Sequence, residues 1–341
     1  MTYYLYKFKF ITPVRFGIDK ASSNLTTSAF TANADTFFSA LCNECIKIYG
    51  LEGLNLLKNK ADTGEFLISD LLPYKNVTDE NGNVSDCNIY IPKPAIVVEK
   101  KNVKSDAGEL SSVKKKLKNI SHIDITKVDK YINYLRGEDE MDFAMDPSMI
   151  YMESNTVKVF KTYSDEPMPY QVASVRFLDN AGLALLVKLD DEYKETFDNI
   201  IDSLSYTGIG GKRSSGYGKF ILDEDELEIS EEYPIYDSDM LIAKTLGKKG
   251  DVNVSISSIL PNERDMDVIL DENSFYQLIF RKGFIYSESY TDNFLKKKQL
   301  AMIKSGACFP NHLEGTIGNV GVEGTHEIYR YGKGMFLGVS I

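Results

Sequence analysis

Thr207 to Phe220 reads TGIGGKRSSGYGKF, with glycines at 208, 210, 211, 216 and 218 surrounding Lys212, Arg213, Ser214 and Ser215. Glycine admits left-handed backbone and lets a ligand approach the main chain without a Cβ in the way. Successive amide N–H groups in such a loop can converge on an anion, with Lys212 and Arg213 adding charge and the two serines adding short donors. That is chemistry for holding a phosphate backbone. The bland alternative is a tight connection whose basic residues face water. The segment is neither a GxxxxGK[ST] loop nor a dinucleotide fingerprint, since both open after a strand and this loop follows a helical pattern.

The flanking elements position it. From Asp191 to Leu204 the apolar residues Tyr193, Phe197, Ile200, Ile201 and Leu204 recur at helical spacing behind an acidic first turn. KFILDEDELEIS then reads as an extended segment followed by an acidic surface. Near the start, Tyr4, Tyr6, Phe8 and Phe10 share one face of a strand, with Lys7 and Lys9 on the other. Pro13 ends it, and Arg15-Phe16-Gly17 follows, an arginine beside a glycine that can clamp phosphate bidentately. Ala34 to Tyr49 reads as a helix begun by Asn33 or Asp35, which places Thr36 and Ser39 in turns whose N–H groups can receive an anion. Lys93 stands between Pro92 and Pro94, which hold it on extended backbone. Lys100 to Lys118 is lysine-rich, as a mobile RNA-contacting segment or a solvated helix face would be.

The 341 residues, 43% hydrophobic, suffice for two ordinary domains. A net charge of −11 argues against coating nucleic acid with the whole surface, and leaves room for one local basic site. Cys42, Cys45, Cys87 and Cys308 do not make a disulfide framework, and the CxxC at 42–45 fits one turn of a partly buried helix. His122, His312 and His326 are the only imidazoles, none adjacent to the loop in sequence, and His122 reads as inert. No metal-ligand spacing or carboxylate constellation stands out, so no catalytic residue, metal or cofactor is expected. The absence of an apolar run of about 18 residues or of a secretory signal leads to the expectation of a cytoplasmic protein without membrane contacts.

Downstream, Asn155 to Tyr163, Tyr170 to Phe177 and Leu183 to Leu189 read as strands after a flexible acidic passage from Gly137 to Asp146. Thr291 to Met302 reads as a lysine-rich amphipathic helix and Arg330 to Ile341 as a terminal strand, with Tyr329 and Tyr331 packing rather than stacking bases. The expected class is α+β, as two ferredoxin-like (RRM-like) domains, 1–145 with inserted loops and 146–341 carrying the glycine-rich loop.

RFG at Arg15 to Gly17, ADTFFSAL at Ala34 to Leu41, PKP at Pro92 to Pro94, GIGGKRSSGYGKF at Gly208 to Phe220 and RYGKGMFLGV at Arg330 to Val339 together resemble the RAMP-superfamily subunit of type III-A CRISPR effectors that binds the 5′ tag of the guide RNA. The resemblance implies a non-catalytic subunit capping one end of a Csm-type ribonucleoprotein. Its implied partners are the tag, the large polymerase/cyclase-bearing subunit and the adjacent backbone RAMP subunit. Carried over, the RNA-binding positions are Arg15, Phe16, Gly17, Thr36, Ser39, Lys93, Gly208, Gly210, Gly211, Lys212, Arg213, Ser214, Ser215, Gly216, Tyr217 and Gly218, with Tyr217 or Phe16 supporting a splayed base. The competing readings are a CRISPR RNA-processing endonuclease and a protein-bridging scaffold with incidental RNA contacts.

Overall fold

The computed structural model describes residues 1–18, 25–98, 115–160, 167–224, 226–287, 290 and 295–341. Most of the lysine-rich segment, 100–114, lies outside them. The class is α+β, as expected, and an eight-stranded antiparallel sheet organises it. Its central strand β1 (Thr2–Phe10) pairs with β8 (Ala181–Leu189) in a register that sets Tyr4 opposite Val187, Tyr6 opposite Leu185 and Phe8 opposite Leu183. Beyond β8 come β3 (Leu72–Thr78), β4 (Val84–Pro92) and β5 (His122–Asp124), while β9 (Phe220–Leu222) and β10 (Leu227–Glu228) pair on the other side of β1. The short β2 (Leu67–Ile68) also pairs with β8.

Two helices cover one face. In α1 (Ala34–Thr63) the predicted helix to Tyr49 continues past a break at Gly50 (φ 67°, ψ −160°). The other helix, α3 (Asp191–Thr207), starts at Asp190, whose Oδ1 accepts the Tyr193 N–H at 2.7 Å. Between α1 and α3 in sequence, α2 (Val128–Arg136) follows β5. Tyr6, Phe8 and Phe10 point into the layer beneath α1 and α3, where Phe8 stacks on Phe37 at 5.6 Å and the Tyr6 hydroxyl donates to Asp198. Period-2 alternation in β1 thus made the expected apolar face.

The opposite face is not solvated as the lysines suggested. Leu5, Tyr74, Ile89 and Leu186 pack there against Ile242 and Leu246 of and beside α4 (Asp237–Thr245), and against Ile256, Met335 and Leu337. Lys7 is buried among them, ion-paired to Glu224 and lying over the rings of Tyr74 and Tyr236.

Following the principal strands, the path β1–α1–β3–β8–α3–β9/β10 gives a βαββαβ order with spatial sequence β10-β1-β8-β3. Strands from both sides of residue 145 therefore hydrogen-bond in one sheet, and a cut at 145 passes through it. Residues 137–146 are also no loose passage, because Phe143 is buried and Ala144 bridges to Ile123. The hairpin β6–β7 (Tyr151–Phe160, Met168–Phe177) is inserted between β5 and β8. After α4, β11 (Val252–Ser255) lies between β14 (Cys308–Phe309) and β17 (Phe336–Val339) in a smaller sheet.

The helix expected at 291–302 is absent where described. Leu300–Ile303 instead forms β13, paired residue for residue with β12 (Leu278–Arg281), and Lys296 bridges to Phe284. Spaced lysines suited a helix, but pairing with a distant strand prevailed. The expected terminal strand is two short ones, β16 (Tyr329–Arg330) and β17.

Candidate nucleic-acid interface

The glycine loop leaves α3 at Gly208 and lies against the segment after β1. The Gly211 N–H donates to the Arg15 carbonyl at 2.7 Å and the Gly218 N–H to that of Pro13 at 2.9 Å. Gly210 (φ 86°) makes this possible, since a Cβ there would sit 2.6 Å from the Arg15 oxygen. The expected convergence of many loop amides on an anion is consequently cut down. Those of Gly208, Ile209, Gly211, Ser215, Gly216, Tyr217 and Gly218 all have backbone acceptors.

The amides of Lys212, Arg213 and Ser214 have none among the described residues. Lys212 is left-handed (φ 64°), alone among described non-glycine residues, and a 3₁₀ turn runs from Arg213 to Ser215. A left-handed residue followed by helical turn residues aims consecutive N–H groups into one concavity, which suits an anion.

That turn edges a cleft of about 390 Å³ that brings together most of the expected residues: Arg15, Phe16, Gly17, Thr36, Ser39, Gly210, Gly211, Lys212, Arg213 and Ser214. Sequence reading missed its floor. Arg281, Lys282, Lys297 and Arg330 also line it, so seven cationic side chains face a single carboxylate, Asp35. Asp35 is buried and accepts from Arg281 Nε at 3.0 Å and Nη2 at 2.7 Å, and is also ion-paired to Arg330. Burial alone would raise its pKa, but the two guanidiniums hold it below the ordinary carboxylate value. Lys297, with Nζ 3.4 Å from Ser39 Oγ, has its pKa lowered to about 8, mainly by burial and then by Arg330.

The α1 terminus does not offer its amides as expected. Its first N–H, of Ala34, is capped by Asp70 Oδ1 at 2.7 Å rather than by Asn33 or Asp35, and the Thr36 N–H donates to the Asn33 carbonyl. The hydroxyls are engaged instead, Thr36 Oγ1 accepting from Arg281 Nη2 at 2.7 Å. A carboxylate brought in from 36 residues away leaves no local sequence signal.

Lys93 sits elsewhere, in a neighbouring cavity of about 690 Å³ lined also by Lys118, His122 and Lys304. Its ammonium donates to the Leu117 carbonyl, and burial lowers its pKa. The two cavities adjoin, with Phe16, Gly17, Thr36 and Arg281 lining both. Phe16 itself is 2% exposed within the core, so it forms a wall and not a stacking platform.

Aromatic rings steady the loop's cations: Lys212 lies 5.2 Å from the Tyr170 ring centre, Arg213 5.0 Å from that of Tyr286, and Lys158 4.8 Å from that of Tyr217. Tyr217 and Tyr170 place the inserted β6–β7 hairpin beside the loop. Gly208, Ser215, Gly216, Tyr217 and Gly218 belong to the loop but do not line the cleft.

His122 is buried with its pKa lowered to about 3, first by desolvation and then by Lys304. The Cys42 and Cys45 thiols are free, with pKa values pushed up by burial. Among the described residues no His, Cys, Asp and Glu cluster could hold a metal, and no helix is long and apolar enough to cross a membrane. Tyr331 is buried, its hydroxyl accepting the Ile68 N–H at 2.9 Å.

Residues 248–339 match the family model described as the CRISPR Csm4 C-terminal domain. The chain is 28% identical over 344 residues to the "CRISPR system Cms protein Csm4" of Streptococcus thermophilus, covering all of both chains. It is 26% identical to the protein of the same name from Mycobacterium tuberculosis, over 95% of this chain and 96% of that one. In fold it is similar to a chain of the Csm3–Csm4 subcomplex of the type III-A CRISPR-Cas interference complex (TM-score 0.61, 17% identity, 99% of each chain). It is also similar to one of a Csm1–Csm4 cassette in complex with cA4 (TM-score 0.57, 17% identity, 99% of this chain and 98% of that chain).

Proposed function

We propose, for a chain that is a RAMP-superfamily subunit of the type III-A Csm kind, that its cationic cleft holds the 5′ repeat-derived tag of the guide RNA and that it does so without chemistry of its own. The observation that carries this is the charge arrangement. A chain of net charge −11 gathers seven cations around one carboxylate in a cleft edged by three amides without acceptors among the described residues. Phosphates in that cleft would neutralise the excess, and amides and guanidiniums would fix the strand's path.

In this reading the βαββαβ path is one ferredoxin-like RAMP domain reaching to β10, and the part from α4 onward is the second. The similar solved chains come from a Csm1–Csm4 cassette and a Csm3–Csm4 subcomplex. Accordingly the chain bridges a large polymerase/cyclase-bearing subunit to the backbone RAMP subunit beside it, in the cytoplasm. An endonuclease is disfavoured because its cleft holds no histidine and its one carboxylate is locked between two arginines.

The test uses the full chain with synthetic tag RNA and a composition-matched control RNA. Tag binding should exceed control binding, and Lys212→Ala with Arg213→Ala should weaken it while the protein stays folded. Unchanged tag affinity at physiological salt would remove those side chains from the site. Equal, weak binding to both RNAs would favour the protein-bridging scaffold.

A further inference from the structure

Beside the cationic cleft lies a further cavity, of about 360 Å³, whose character is different. Ile46 and Leu54 of α1 form one wall and Ile328 and Tyr329 the other. Ile46 is 40% exposed, which leaves this apolar surface open. Four residues, Ser39, Asn43, Tyr286 and Lys297, line both cavities and make the rim between them. A strand whose phosphates lie in the cleft is therefore within reach of an adjoining, mainly apolar pocket.

We propose that this pocket receives one nucleobase of the RNA strand whose phosphates occupy the cleft. The inference rests on the tag-binding reading and adds where a base is read. The volume lies near the lower end of the range of about 300–1,000 Å³ for small-ligand pockets, and its exposed lining is mainly apolar, although Glu327, His326 and Lys297 also border it. Tyr286 joins the two sites, because its ring lies 5.0 Å beneath the Arg213 guanidinium while its edge belongs to the pocket mouth. A phosphate drawn to Arg213 thus brings its neighbouring base to the rim, and Tyr329 offers a flat π surface inside.

The rim also carries specificity. Asn43 Nδ2 donates to the Ser39 carbonyl at 2.7 Å, and its Oδ1 has no donor among the described residues. An acceptor there favours a base bearing an exocyclic amine, adenine, cytosine or guanine, over uracil.

The experiment is an abasic scan on the unaltered full-length chain, using synthetic tag RNA in which each nucleotide in turn lacks its base. One position should stand out with a loss of about tenfold in affinity, and uracil there should bind less well than adenine, cytosine or guanine. In the variant Ile46→Trp, which fills the pocket from an exposed helix position, intact RNA should bind as weakly as that abasic RNA, with Lys212 and Arg213 still required. A flat abasic profile with retained dependence on Lys212 and Arg213 would overturn the pocket and leave the cleft standing. No tag binding at all would sink the cleft reading and this one with it. If Ile46→Trp left the scan unchanged but released a partner subunit from the assembled complex, the pocket would be a protein contact and the proposal wrong.

Discussion

Cations outside the cleft have a carboxylate partner as well as a tyrosine ring, and those at its edge have the ring without the carboxylate. Lys7 is paired to Glu224, Lys60 to Asp190, Lys194 to Asp198 and Glu226, and Lys58 to Asp62. Lys212 and Arg213, among the described residues, are steadied by tyrosine rings with no carboxylate salt bridge. A carboxylate fixes an ammonium and also cancels its field, whereas a ring fixes it and leaves the charge intact. In an acidic protein, that difference marks where an external anion is awaited. Asp35 is the exception that sharpens the rule, because it is the one carboxylate in the cleft and it is spent on holding the floor together.

The comparison breaks most severely at that floor. Asp35→Ala would leave Arg281 and Arg330 buried without their shared carboxylate, and removing one member of a buried ionic group costs about 3–5 kcal/mol. Urea denaturation should show that loss, and a change below about 1 kcal/mol would mean the arginines are solvated. At the edge the opposite is expected. Lys212→Ala and Arg213→Ala should each lower the slope of log affinity against log salt by about 0.7 on single-stranded RNA, with little change in stability. Lys60→Ala provides the converse control, costing about 0–1 kcal/mol of stability and leaving the salt slope untouched.

His122 tests the same contrast from inside the neighbouring cavity, where desolvation and Lys304 press its pKa from 6.5 to about 3. An unfolded chain takes up this proton below pH 6.5 and the folded one does not until about pH 3, so stability should rise with pH across that window. Replacing it, as His122→Gln, should remove one proton's worth of that slope. An unchanged slope in acid titrations of stability would show the imidazole to be hydrated.

Local signals were read well and long-range ones were not. The aromatic alternation of β1, the helix ahead of the loop and the loop's glycines all rest on neighbours within a few positions, and each is where the sequence put it. The burial of Lys7 had no sequence signal, because nothing local reveals that α4 and the C-terminal strands cover that face. The pairing of strands across residue 145 was hidden for a related reason. An acidic stretch resembles a linker, while β8 pairs with β1 and β3 only through tertiary structure. Likewise Lys297 reaches the cleft from a segment whose spaced lysines read as a helix, and Arg281 from a stretch that gave no local signal, so half of the floor had no sequence signature. Arg330 lay within one of the motifs, but its pairing with Asp35 joins positions 295 apart in the sequence.

Lys297 supplies the smallest expected effect and the most particular one. Asp35, Cys42, Arg281 and Arg330 all act on its ammonium, and burial with the two arginines outweighs the others to lower its pKa to about 8. Between pH 8 and its ordinary value of 10.5 the unfolded chain therefore holds this proton and the folded chain has lost it. Folding stability contributed by this group should rise with pH in that window. RNA affinity should fall over the same window, because the cleft loses one of its seven cations where a phosphate needs it. Stability and binding thus move in opposite directions with one proton. Lys297→Met should flatten both trends between pH 7.5 and 9.5, as read by denaturation and by tag-RNA titration on the same samples. If the variant retains the wild-type fall in affinity, the titrating cation lies elsewhere in the cleft and Lys297 serves the fold alone.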